Sequence, residues 1–153
     1  MSETTFRKYL GGLLKECRAH VSQVESHETS AGIPDTNYCI GGIDGWIECK
    51  FAAAGRKNKV IVRKSQKVWF RDRLKVGAKR CFVAVRWETK GTVRNVIRKV
   101  ASREELNNTD PMWWLENAHL LWESGNPPDS IILTRLLIGD SDAKAGTDAP
   151  RAW

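Results

Sequence analysis

The segment Trp46-Ile47-Glu48-Cys49-Lys50-Phe51 carries an acid and a lysine in a stretch that otherwise reads as a buried strand. The two-residue period of a strand places Ile47, Cys49 and Phe51 on one face and Glu48 with Lys50 on the other. Neither charged group is comfortable inside a protein unless it is paired or bound to metal. Asp35 is the missing partner. With a chain reversal near Gly41-Gly42, Asp35 and Glu48 come out opposite one another, close enough for both carboxylates to reach one cation. Hard oxygen ligands favour Mg²⁺ or Mn²⁺ over zinc. Such a cation polarises a phosphodiester, lowers the pKa of a bound water and shields the charge of the transition state. Lys50 beside it is placed to orient or help deprotonate that water, or to stabilise the pentavalent phosphate. Singly, Pro-Asp and Glu-x-Lys are short enough to arise by chance. A turn residue (Asp35) and a solvated strand face (Glu48, Lys50) are the ordinary alternatives. Neither accounts for the order and spacing of the two motifs on the arms of one hairpin.

The elements that must position these residues read as an alternating α/β order. Phe6, Leu10, Leu13, Leu14 and Cys17 fall at helical spacing, so residues 5–19 are expected to form an amphipathic first helix despite Gly11-Gly12. His20 to Ser26 reads as a first strand. Asp35 to Ile40 and Trp46 to Phe51 then flank a Gly-Gly-Ile-Asp-Gly turn. After a loop, Ala52 to Asn58, comes the β-branched run Val60-Ile61-Val62, and Ser65 is expected to cap a helix ending near Gly77. Cys81 to Val85 reads as a buried strand, parallel to its predecessor through a right-handed crossover. Thr92 to Val100 is a further strand, and Ser102-Arg-Glu-Glu105 matches a capping box. A helix is expected from Asp110-Pro111 with Trp114, Leu115, Ala118, Leu121 and Trp122 on one core-facing stripe and Gly125 beyond its end. Ser130 to Ile138 suits a strand or a helix. The chain therefore reads as one domain over residues 1–138 and a mobile tail over 139–153.

Composition sets the context for that chemistry. The 153 residues, 41% of them hydrophobic, suffice for one core. No stretch approaches the roughly 18 unbroken apolar residues of a membrane span. The N-terminus lacks the apolar region of a secretory signal, so a cytoplasmic protein without a membrane partner is expected. Cys17, Cys39, Cys49 and Cys81 form no C-x-x-C pair, and His20, His27 and His119 have no zinc-ligand spacing. Reduced core thiols are the simpler reading. The net charge of +7 concentrates in residues 50–80, which hold twelve Lys or Arg against one acid, Asp72. A basic middle of this kind suits a polyanion, because each neutralised phosphate releases condensed counterions. A basic face kept for solubility is the plain alternative.

Gly32-Ile-Pro-Asp35 and Ile47-Glu-Cys-Lys50 resemble the signature of the PD-(D/E)XK nucleases, G-x-P-D followed by a strand bearing E-x-K. Ser65-Gln66-Lys-Val-Trp69, with Leu74 and Gly77 ahead of a valine-rich strand, is similar to the pattern that follows E-x-K in VRR-NUC and related phage and Holliday-junction-resolvase-like nucleases. The resemblance spans residues 32 to 85. It implies an α/β fold with a restriction-endonuclease-like α-β-β-β-α-β core, a mixed central sheet flanked by helices, and a Mg²⁺- or Mn²⁺-dependent DNA endonuclease. It further implies Asp35 and Glu48 as metal ligands with the Cys49 backbone carbonyl as a third, Lys50 as the catalytic lysine and Gln66 as an accessory group. For Gln66 an ordinary first-turn polar residue is the alternative. A glutamate of the first helix often completes such sites; Glu16 is the candidate, with Glu25 and Glu28 behind it. DNA, duplex or branched, is the expected partner, nicked or cut at junctions, and a homodimer would suit symmetric cutting. Arg56, Lys57, Lys59, Arg63, Lys64 and Lys67 are the expected DNA contacts, and a phage-encoded protein would work in the host cytoplasm. A DNA- or RNA-binding protein without catalysis would use the same basic middle and need no metal, as would a structural phage protein.

Overall fold

The structure is a computed structural model that describes residues 2–24 and 32–139. Helix α1 (Glu3–Glu16) leads into strands β1 (His20–Gln23), β2 (Thr36–Ile40) and β3 (Ile43–Ala53), then helix α2 (Lys64–Lys75) and strand β4 (Cys81–Thr89). Strand β5 (Thr92–Lys99), a 3-10 turn (Arg103–Asn107), helix α3 (Pro111–Glu116), strand β6 (Leu120–Glu123) and helix α4 (Ser130–Ile138) follow. The six strands form one mixed sheet in sequential order, antiparallel throughout except for β3 and β4, which are parallel. That one parallel pair is why α2 lies between them in sequence, since parallel neighbours need a crossover.

Each face of the sheet carries its own core. On one, α1 and α4 bury Phe6, Leu10, Leu14, Leu133 and Leu137 against Tyr38, Ile47, Cys49, Phe82 and Ile97. The Tyr38 hydroxyl donates to the Leu137 carbonyl, tying α4 to the hairpin. On the other, Phe70 of α2 packs with Val83, Val85, Val96, Leu106 and Trp114. Each such fully buried side chain contributes about 1.5–3 kcal/mol. Trp114 and Trp122 are both core residues, and the four cysteines are free thiols, three buried and Cys39 half-buried. No helix among the described residues is long and apolar enough to cross a membrane.

Several local expectations are corrected. The hairpin turn is two residues long, Gly41-Gly42, with Ile40 paired directly to Ile43. Positive φ at both glycines (56° and 84°) gives the backbone hand that matches twisted strands, so β3 begins earlier than residue 46. Val60-Ile61-Val62 is not a strand. Val60 and Val62 are buried, Ile61 is 53% exposed, and the Val60 N–H donates to the Thr109 carbonyl instead of joining the sheet. Arg63, not Ser65, stands at the N-cap of α2. The helix from Pro111 stops at Glu116, and residues 120–123 pair with β5 as an edge strand. There Leu121 is exposed while Trp122 is buried, a two-residue alternation inside what resembles a helical stripe. Ser130–Ile138 is a helix, begun by the Asp129 carboxylate accepting from the Ile131 N–H and ended by left-handed Gly139. Of the expected first strand, 25 and 26 lie outside the described residues, as does the expected tail from residue 140.

Candidate functional site

The β2–β3 register pairs Thr36 with Ile47, so continuing it by one residue sets Asp35 across from Glu48. The Asp35 N–H donates to Glu48 Oε1 at 3.1 Å, and the Cys49 N–H donates to Asp35 Oδ2 at 3.1 Å. Thr36 Oγ1 donates to Asp35 Oδ1 at 2.8 Å. Beyond Ile47 strand β3 has outrun β2, and the edge it leaves is filled by the Asp35 side chain.

Gln66 closes the cluster from α2. Its Nε2 donates to Glu48 Oε2 at 2.8 Å, and its Oε1 accepts both from Lys50 Nζ at 3.0 Å and from the Arg63 N–H at 2.9 Å. One amide thus caps the helix and orients the lysine. Lys50 Nζ also lies 3.3 Å from Glu48 Oε2. Asp35, Glu48, Lys50 and Gln66 are 9%, 3%, 6% and 2% exposed. The approach of α2 depends on Gly32: a Cβ there would stand 2.2 Å from the Ser65 carbonyl oxygen, and its φ of +87° is one that other residues resist. The glycine of Gly32-Ile-Pro-Asp35 is therefore a contact point between the turn before Asp35 and the first turn of α2.

Two carboxylates share this buried site with one ammonium. Burial, then the Asp35 charge, push the Glu48 carboxyl up to about 7, although Lys50 pulls the other way. Burial also raises Asp35, against the hydrogen bonds from Thr36 and Cys49; Arg7 lowers it and Glu3 raises it. Glu3 and Arg7 are one turn apart near the start of α1, and their charges act on Asp35 in opposite senses.

The structure brings together Asp35, Glu48, Lys50 and Gln66. It does not bring Glu16 to them. Glu16 ends α1 and lines a separate depression with Cys17, Arg18, Ser130, Ile131 and Thr134. Glu25 and Glu28 lie outside the described residues. Glu3 is the first-helix acid whose charge reaches Asp35, and sequence reasoning missed it because helical spacing fixes a stripe but not which end of the helix meets the site. Arg56, Lys57 and Lys59 project from the exposed loop after β3, and Arg63 and Lys64 from the start of α2. Lys67 is partly engaged, its Nζ donating to Asn107 Oδ1 at 2.9 Å. Among the described residues no three His, Cys, Asp or Glu side chains are grouped closely enough to hold a metal ion by themselves. No family model and no curated protein matches this chain.

Proposed function

We propose that this protein is a divalent-metal-dependent DNA endonuclease of the PD-(D/E)XK kind, with Asp35, Glu48 and Lys50 as its active site. The observation that carries the reading is the convergence of these three residues and Gln66 into one buried hydrogen-bonded cluster. The order α1-β1-β2-β3-α2-β4 is the one the resemblance implies, and it supports a restriction-endonuclease-like core. The first turn of α2, with Arg63 and Lys64, adjoins the cluster through Gln66, and with the basic loop before it favours a polyanionic substrate. A perturbed acid pair in a recess is also what a site of this chemistry needs.

The donor set suits Mg²⁺ or Mn²⁺. Burial, then the neighbouring Asp35 charge, lift Glu48, and a cation between the two carboxylates would offset both. Asp35 and Glu48 would hold it. The Cys49 carbonyl is the third oxygen, because in an extended strand the C=O points to the same side as the N–H, which here meets Asp35. When bound, such a cation supplies Lewis-acid polarisation of the phosphodiester and a lowered water pKa. The chain's own part is positional. Gln66 fixes Lys50 and Glu48 relative to each other, and Lys50 offers its remaining N–H donors to the attacking water or the phosphate oxygens. Duplex or branched DNA is the substrate class, and a homodimer would suit symmetric cutting.

The test is incubation of the full chain with supercoiled, linear, single-stranded and four-way-junction DNA, with Mg²⁺ or with EDTA. Metal-dependent cleavage that disappears in Asp35→Asn and Glu48→Gln, while DNA binding persists, is the expected result. Cleavage unaffected by both changes would place the active site elsewhere. Binding without cleavage in any metal would favour the non-catalytic reading.

A further inference from the structure

The strand and helix that build the carboxylate cluster continue past it into a second arrangement. Trp46 lies on the same face of β3 as Glu48 and Lys50, two residues or roughly 7 Å up the strand. On α2, Trp69 and Arg73 extend the stripe that Gln66 begins, at helical spacing. The Trp46 and Trp69 rings meet edge-on with centroids 5.6 Å apart. The Arg73 guanidinium stacks over Trp69 at 4.5 Å and lies 6.0 Å from the Trp46 centroid.

Among the described residues the Arg73 side chain has no carboxylate or carbonyl partner; the adjacent Asp72 is taken by Arg71 at 2.9 Å. Arg73, Lys79 and Arg80 instead line one cavity of about 150 Å³ with Trp46 and Asp44. Arg80 is fixed there by its Nε donating to the Asp44 carbonyl at 2.9 Å. Asp44 lines the same cavity and is its one acid. Three cations thus line one small, solvent-open recess against a single carboxylate. An arginine stacked on indole has already lost much of its side-chain freedom, and its planar fork matches two phosphate oxygens.

We propose that Arg73, Lys79 and Arg80 form a subsite for a backbone phosphate of a nucleic-acid strand, with Trp46 and Trp69 holding the Arg73 fork in place. Arg73 is seven residues from Gln66 along α2, about 10 Å at the helical rise. The bound phosphate therefore lies a short way along the same strand from the one at Asp35 and Glu48. This register rests on the nuclease reading above; the subsite itself requires only that the chain bind nucleic acid. Its role is to set the strand in the site, not to take part in the reaction.

The test measures binding of a short fluorescent DNA, single-stranded and duplex, by anisotropy in EDTA across a range of KCl concentrations. Arg73→Gln is expected to weaken binding several-fold and to lower the slope of log K against log[salt] by about one, the signature of one lost phosphate contact. Arg73→Lys keeps the charge but not the fork, so it should retain the slope and lose less affinity; it also guards against a folding defect in the glutamine variant. Arg71→Gln removes a charge from the same helix that is already paired with Asp72, and should leave the slope unchanged. Wild-type affinity and slope in Arg73→Gln, or an equal loss in Arg71→Gln, would overturn the subsite. Inorganic phosphate that competes with DNA for wild type but not for Arg73→Gln supports it. Parallel cleavage assays in Mg²⁺ separate the two readings. A protein that binds with the expected Arg73 dependence but never cleaves sinks the nuclease and keeps the subsite, whereas cleavage indifferent to Arg73 does the reverse. Absence of DNA binding by wild type removes both.

Discussion

Two buried polar clusters sit on opposite faces of the same sheet. On the α2 face, Glu48 accepts from the Gln66 amide and pairs with the Lys50 ammonium, while Asp35 beside it accepts from Thr36 and the Cys49 N–H. On the α1 face, Arg86 Nε donates to Asn95 Oδ1 at 2.8 Å, and Asn95 Nδ2 donates to Ser124 Oγ at 3.0 Å. Phe6 and Tyr9 place their rings 4.9 and 4.4 Å from the Arg86 guanidinium carbon. Trp122 Nε1 donates to the Tyr9 hydroxyl at 2.9 Å, so α1, β4, β5 and β6 are joined through neutral partners and one cation. The second cluster cross-links four elements. The first buries two acids side by side, and burial lifts both carboxyls, Glu48 further through the Asp35 charge. Burial of charged groups is common to both; the first cluster sets two acids beside one another, whereas the second holds a single cation among neutral partners.

That contrast can be broken at several points. Asp35→Asn and Glu48→Gln should each lower Mg²⁺-dependent cleavage by about 10³-fold or more. Each should also leave the melting temperature equal or higher, worth about 1 kcal/mol, because the like-charge pair is relieved. A fall in stability in both variants would mean that the acids are structural. Arg86→Ala should do the opposite, costing about 3 kcal/mol by emptying the space under Phe6 and Tyr9 and leaving Asn95 Oδ1 without its donor. Denaturant unfolding measures this, and a loss below about 1 kcal/mol would remove the distinction.

Gly32→Ala should cost about 2 kcal/mol, since the added carbon meets the Ser65 carbonyl and the φ is unfavourable. Because α2 must back away, carrying Gln66 with it, cleavage should fall more than stability alone would explain at temperatures well below melting. Preserved cleavage would show that the contact with α2 does not set the geometry of the site.

The smallest effect is in pH. Glu48 titrates near 7 in the folded protein against an ordinary value of 4.5. Between these values the folded state binds more protons than the unfolded one, so this group's contribution is fully present below about 4.5 and lost as pH rises through 7. Wild type should therefore lose melting temperature across this window relative to Glu48→Gln. Cleavage should rise over the same window, because ligation needs the ionised carboxylate. A Glu48→Gln profile parallel to wild type would contradict the assignment.

Much of the site was legible because strand periodicity is local. Alternation alone put Glu48 and Lys50 on one face, and the Gly-Gly reversal set Asp35 across from Glu48. The failures were also physical. Trp114, Leu115, Ala118, Leu121 and Trp122 satisfy a helical stripe, but residues 120–123 gain backbone partners on β5, and that pairing outweighs a local preference. Val60 and Val62 look like strand residues because they are β-branched and buried, yet the Val60 N–H finds its acceptor at Thr109. Glu16 is the acid beside the helical stripe, and Glu3 goes unnamed, because the sequence does not say which end of a helix crosses the sheet.

The sequence by itself determined which residues could do chemistry, the faces of β3 and the amphipathic stripe of α1, since these follow from backbone period and side-chain type. Only the tertiary structure decided that Gln66 bridges Lys50 and Glu48, and that Arg73 stacks on Trp69 and lines one recess with Lys79 and Arg80. Those arrangements depend on the distance and direction at which α1 and α2 cross the sheet, and packing between elements far apart in the chain sets both.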